Sequence, residues 1–187
     1  MTSSSITDKA LLKSIQLHQG QTRKHDGKTP FIVHPVGVAL LIARYTKDEE
    51  IIAAALLHDT IEDTAYTEEE LLADFGPSIT KMVLDVTEPP RSTTAWKERK
   101  QWYINHLQEA SYEARLISLA DKINNLTSMM DGYRKEGEAM WKKFNSDKTL
   151  WYYEEIYRVL KNDKELKPLV DIYGAILKEA HTLFGSA

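Results

Sequence analysis

Apolar side chains recur three and four positions apart along nearly the whole chain, the spacing that gathers them on one face of a helix. Ala10, Leu11, Leu12, Ile15 and Leu17 form the first stripe. Thr46-Lys-Asp-Glu49 is a capping-box pattern ahead of the apolar run at residues 51–57, and Thr67-Glu-Glu-Glu70 is another ahead of Leu71 and Leu72. Gly76-Pro77 predicts the end of one helix and the start of the next, which carries Ile79, Met82, Val83 and Val86. The same periodicity predicts helices over residues 96–109, 112–130, 150–161 and 166–184, and Pro35 suits the first position of another over residues 36–45. Residues 87–94, with Pro89-Pro90, and residues 131–138, with two glycines, read as loops. No segment alternates as a strand does, and no repeat, linker or low-complexity tract divides the chain. The expectation is an all-α fold, one helical bundle over residues 1–187.

Composition narrows the classes. At 187 residues, 42% hydrophobic and 28% charged, the chain is long enough to bury a core and matches a globular domain. Six Pro and eight Gly leave little room for the many tight turns of an all-β fold. A net charge of −4 argues against a general nucleic-acid or membrane-surface binder, since affinity for phosphate arrays rests on a basic excess. The run at 51–57 is too short to span a bilayer, and the first residues lack the basic head and apolar middle of a signal peptide. Zero Cys removes disulfides, thiolate metal sites and cysteine nucleophiles together. The expected location is the cytoplasm.

The chemistry concentrates in three places, none of them a phosphate loop, a dinucleotide fingerprint, a nucleophile elbow or a HExxH zinc motif. His58-Asp59-Thr60-Ile61-Glu62-Asp63 follows the most apolar stretch of the chain. On a continuous helix its imidazole and three carboxylates would share one broad face, where they repel unless a cation neutralises them. The bland alternative is a solvated acidic helix end, but carboxylates are unfavourable at the negative end of a helix dipole and costly beside a buried helix. His34, in Thr29-Pro-Phe-Ile-Val-His-Pro35, stands at a stiff helix entrance among apolar residues. A hydrogen-bonded core histidine is the commoner explanation there, and a metal ligand is the other. Asp121 interrupts the apolar Leu116–Leu126 stretch with Asn125 one turn on; it is either an ion-pair partner of Lys122 or the completion of a two-His, two-carboxylate metal site. Such a mixed set suits Mn²⁺, Fe²⁺ or Zn²⁺ better than Ca²⁺.

Together these segments resemble the HD superfamily of metal-dependent phosphohydrolases. More narrowly, they resemble its alarmone-hydrolase branch, which includes the hydrolase domain of the Rel/Spo enzymes and the small stand-alone hydrolases. The matching blocks are His18-Gln-Gly-Gln-Thr-Arg-Lys24, the Thr29–Pro35 segment, Ala54-Ala-Leu-Leu-His-Asp-Thr-Ile-Glu-Asp-Thr64, Phe75-Gly-Pro77 and Leu119-Ala-Asp-Lys-Ile-Asn-Asn-Leu126. They span about residues 7–162, with a further helix running towards residue 187. An HD pair alone is a weak signal, whereas several independent blocks in order are a specific one.

The resemblance implies that His34, His58, Asp59 and Asp121 bind one Mn²⁺ and that Glu62 and Asp63 act on water. It implies guanosine 3′,5′-bis(diphosphate), ppGpp, as substrate and pyrophosphate and GDP as products. Arg23 and Lys24 match the family's RK pair, Arg23 being able to stack its plane on a purine. Asn125 and Ser128 match positions near sugar and phosphates. Lys97, Arg99 and Lys100 form a basic cluster that reads either as a polyphosphate contact or as solvated surface, and Tyr152 either as a substrate contact or as core. The other aromatics at 151–153 and 157 read as packing. No synthetase domain lies within the 187 residues, so the expectation is either the stand-alone type or a piece of something larger, a homo-oligomer being compatible with it; residues 88–94 and the stretch after residue 163 match no motif. A phosphohydrolase acting on another nucleotide, such as the 2′-phosphate of NADPH or a nucleoside monophosphate, shares the ligand set. A non-catalytic nucleotide-binding module on the same scaffold is the reading from a different class.

Overall fold

The helical spacing is realised as ten helices among the described residues of the computed structural model, which are 5–24, 26–141 and 146–184. In chain order they are α1 (Ile6–Leu17), α2 (Val33–Ile42), α3 (Glu49–Leu57), α4 (Thr60–Asp63), α5 (Glu68–Val86), α6 (Trp96–Glu109), α7 (Tyr112–Glu136), α8 (Glu138–Trp141), α9 (Ser146–Leu160) and α10 (Lys167–Phe184). Among those residues the only extended pairing is an isolated antiparallel bridge between Thr22 and Pro30. The all-α expectation holds. No described helix is long and apolar enough to cross a membrane.

The architecture follows from which helices are apolar all round. In α3, Ile51, Ala53, Ala54, Ala55, Leu56 and Leu57 are all buried, so this helix must be surrounded. α1, α2, α5 and α7 supply its neighbours. α7 is the second spine: its middle from Leu116 to Ile123 is buried without interruption, and it packs on α2, α3, α5 and α10. α9 closes the bundle against α6 and α10, tied by Tyr173 Oη donating to the Tyr153 carbonyl at 2.9 Å. The site described below lies where α2, the α3–α4 junction and α7 meet.

Local chemistry explains several boundaries that differ from the expected ones. The cap of α3 is Asp48, which accepts from the Glu50 and Ile51 amides, while Thr46 accepts from Asp48; the expected Thr46–Glu49 box does not form. The Thr67–Glu70 box does form at α5. Gly76 takes φ +77°, a conformation costly for any side chain, and this kinks α5 where a break was expected. α7 runs through Gly132 to Glu136 and stops only at Gly137, and α8 begins at Glu138, so all of the expected 131–138 loop but Gly137 is helix. α2 begins at Val33 and places Pro35 third, where the missing amide is still one that a first turn leaves unpaired. In α1 the buried positions are Ala10 and Ser14, whereas Leu12 and Ile15 are exposed. Small side chains are what lets α1 lie close to α3, and periodicity weighted by size missed that.

Candidate functional site

The site begins with how α3 ends. Its last carbonyls have no helical donor, and two side chains supply one: His58 Nδ1 bonds to the Ala55 carbonyl at 2.8 Å and Thr60 Oγ1 donates to Leu57 at 2.6 Å. The chain turns there, so His58 and Asp59 stand at a junction and Glu62 and Asp63 belong to the separate one-turn helix α4. The expected continuous helix is broken, yet its four groups still point to one side. Because His58 Nδ1 is spent on a carbonyl, its Nε2 is the atom presented inward, buried and without a hydrogen-bond partner.

His34 is fixed in the same manner from α2. Its Nδ1 bonds to Asn124 Oδ1 of α7 at 2.8 Å, which turns Nε2 inward. Gly37, one turn on, makes room: a Cβ there would stand 2.5 Å from Asn124 Nδ2. Asp59 Oδ2 lies 3.3 Å from His34 Nε2 and 3.2 Å from His58 Nε2. Asp121 Oδ1 lies 3.1 Å from His34 Nε2 and 3.9 Å from His58 Nε2. One ligand atom from each of His34, His58 and Asp121 lies within 4.8 Å of the others.

The electrostatics of this cluster call for a cation. Burial alone would lower the His58 ring and raise the Asp59 carboxyl; their mutual attraction wins, pushing His58 up to about 9 and holding Asp59 well below the usual carboxylate range. Burial would likewise raise Asp121, but Lys122 and the His34 ring hold it down. Carboxylates and imidazoles held this close in a buried place are what a divalent ion would neutralise. The residues fit such an ion: two imidazole nitrogens with their far sides tied to acceptors, a buried unpartnered His58 Nε2, and two converging carboxylates.

Glu62 and Asp63 border this cluster. Burial, and then Asp59 and Glu88, push the Glu62 carboxyl up to about 7, while burial and Asp59 raise Asp63. Glu62 Oε1 accepts the backbone amide of Glu88 at 2.7 Å, and the Gln21 side chain donates to the Asp63 carbonyl at 2.8 Å. Two adjoining cavities open here. One of about 190 Å³ holds His34, His58, Asp59, Glu62, Asp63 and Asp121; the other, about 400 Å³, is walled by Lys24, Phe31, Trp96, Ser128, Tyr152 and Tyr153. Phe31 and Asp63 line both, as do Arg23, Arg91, Lys100, Lys122 and Asn125.

The substrate-side expectations divide. Arg23 reaches the cavities, but its plane lies over Phe31 at 5.7 Å and its Nη2 donates to Asn125 at 2.7 Å. Asn125 in turn donates to Asp121. Lys24, Ser128 and Tyr152 line the larger cavity. Lys97 and Arg99 do not reach it: Lys97 is exposed on the outer side of α6, and Arg99 is buried against Glu88 at 2.8 Å. Their neighbour Lys100 is the member of that cluster facing the site, packed over Tyr152 at 4.4 Å and paired with Glu88. Tyr152 and Tyr153 are core and cavity wall at once, not packing alone. Asn124, Glu88 and Arg91 were missed. Asn124 was hidden because an amide on a helix has no spacing signature, and the other two because their loop forms no motif.

Comparison with known proteins agrees with this geometry. The HD domain family matches residues 10–148. A Danio rerio protein named guanosine-3′,5′-bis(diphosphate) 3′-pyrophosphohydrolase MESH1 is 41% identical over 114 residues, 60% of this chain and 62% of that protein. The chain therefore spans under two thirds of the length of that relative. A solved structure described as a metazoan ortholog of SpoT that hydrolyzes ppGpp superposes with a TM-score of 0.79 at 26% identity, covering 96% of this chain and 97% of the other. A crystal structure of a Listeria monocytogenes EGD-e protein gives a TM-score of 0.73 at 32% identity over 80% of this chain and 99% of that one.

Proposed function

The chain belongs to the HD domain family, and from that premise we propose that it is a metal-dependent ppGpp 3′-pyrophosphohydrolase. The observation that carries the proposal is the joining of one buried two-imidazole, two-carboxylate cluster to two flanking carboxylates and a cation-lined cavity. The likeness to relatives named for this activity supports the substrate.

His34, His58, Asp59 and Asp121 would hold the ion, and Mn²⁺ is the one we propose for this ligand set. When bound, a divalent ion acidifies water and offsets phosphate charge. The protein's own groups do the rest. Asn124 and the Ala55 carbonyl keep both imidazoles in the tautomer that presents Nε2. Glu62 and Asp63 orient the attacking water and take its proton; a carboxyl poised near neutrality suits that transfer. The water oxygen bonds to the 3′-linked phosphorus, the bond from that phosphorus to the ribose 3′ oxygen breaks, and the 3′ oxygen leaves on GDP with a proton. Lys100, Lys122 and Arg23 offset charge along the cavity. The cytoplasm is the location proposed for it, as the expected setting for a nucleotide substrate of this kind.

Metal-stripped protein incubated with ppGpp, with and without Mn²⁺, and resolved by anion exchange tests the proposal. Mn²⁺-dependent GDP and pyrophosphate are expected. Protein that binds Mn²⁺ and leaves ppGpp intact would overturn the substrate assignment.

A further inference from the structure

The substrate proposed above carries two diphosphates, and guanidinium groups bind phosphate through two parallel hydrogen bonds. Three other cations at the cavities are held in fixed directions by the protein. Lys122 Nζ sits 2.6 Å from Asp121 Oδ2, Lys100 pairs with Glu88, and Arg23 is bonded to Asn125 and packed on Phe31. Arg91 is held differently. It stands on the rim, in the segment between α5 and α6, with its side chain 60% exposed, and borders both cavities. Its Nη2 lies 2.9 Å from Asp63 Oδ1 and 3.6 Å from Glu62 Oε2.

Arg91 therefore covers the two carboxylates that the proposed hydrolysis needs for water. An ion pair with this exposure is weak, and a phosphate group is a stronger partner for the same guanidinium. Since Glu62 and Asp63 flank the metal-ligand cluster, the phosphate nearest to Arg91 is the one being cut. We propose, on the basis of that functional reading, that Arg91 exchanges partners: it pairs with Asp63 and Glu62 in the free protein and with the 3′-diphosphate once substrate enters. Substrate binding itself then uncovers the carboxylates that act on water.

The test uses Arg91→Gln and Arg91→Lys in the full chain. Titration calorimetry of the Mn²⁺-loaded protein measures binding of inorganic pyrophosphate and, separately, of GDP; steady-state kinetics measure ppGpp turnover. Loss of a charge-assisted phosphate contact should weaken pyrophosphate binding and raise KM for ppGpp by about 10- to 100-fold in Arg91→Gln. GDP binding should change far less, and Arg91→Lys should recover part of the loss. Pyrophosphate binding that is unchanged, or weakened no more than GDP binding, overturns the exchange, as does a fall in kcat alone. Wild-type protein that leaves ppGpp intact while its pyrophosphate binding still depends on Arg91 would sink the substrate reading and keep the phosphate contact.

Discussion

Replacing Glu62 with Gln should stabilise the metal-free protein while removing its activity. The Glu62 carboxyl is pushed up to about 7 from an ordinary 4.5 by burial and by Asp59 and Glu88. Between those two values the folded state holds a proton that the unfolded chain has released, so wild-type stability falls as pH rises through that window. The full displacement corresponds to ~3 kcal/mol, at about 1.4 kcal/mol per pKa unit. Gln keeps the oxygen that accepts the Glu88 amide and carries no charge. In chelator-treated protein at pH 8, Glu62→Gln should therefore melt roughly 6–12 °C higher than wild type. At pH 5 the gain should shrink to less than about 1 kcal/mol, because most of wild-type Glu62 is then protonated when folded. Added Mn²⁺ should narrow the gap at pH 8, since a cation in the cluster favours the Glu62 anion. Turnover should fall by about 10²- to 10⁴-fold with the proposed proton acceptor gone. Scanning calorimetry across pH, with and without chelator, measures the first effects. Equal melting temperatures at pH 8 without metal, or a gain of the same size at pH 5, would refute the account of Glu62 as a buried, repelled carboxyl.

Asp121→Ala should lose bound metal by elemental analysis and lose about 3–5 kcal/mol of stability in urea titrations, because Lys122 would remain buried without its partner; full metal content would remove Asp121 from the ligand set. Gly37→Ala puts a Cβ 2.5 Å from Asn124 Nδ2. Displacing Asn124 should cost His34 its orientation and lower metal affinity by about 10- to 100-fold, as should Asn124→Ala; unchanged affinity in both would leave Asn124 without that role. Leu57→Ala, fully buried in α3, should cost about 2–5 kcal/mol by urea denaturation. Leu12→Ala, on the exposed side of α1, should stay within about 0.5 kcal/mol of wild type by the same measurement.

The sequence alone determined the helical class, because apolar spacing is a local property that survives any arrangement of the helices. It determined that residues 51–57 must be surrounded, since a helix without a polar face has no other stable place. It also marked His58, Asp59, Glu62 and Asp63 as chemically costly neighbours, and the blocks carrying His34 and Asp121 as their companions. What it could not determine is how such groups are held. The tautomers of His34 and His58 depend on an amide from another helix and on a carbonyl at the end of α3, contacts that exist only after packing. The same holds for the basic residues of α6, where one position separates Lys100 at the cavity from Arg99 beneath Glu88, and three separate it from Lys97 in solvent. Arg91 is the extreme case. No periodicity describes its loop, and only the fold brings its guanidinium to Asp63. Spacing along a chain fixes which face a side chain shares with its neighbours; which partner it meets there is settled by the elements that pack against that face.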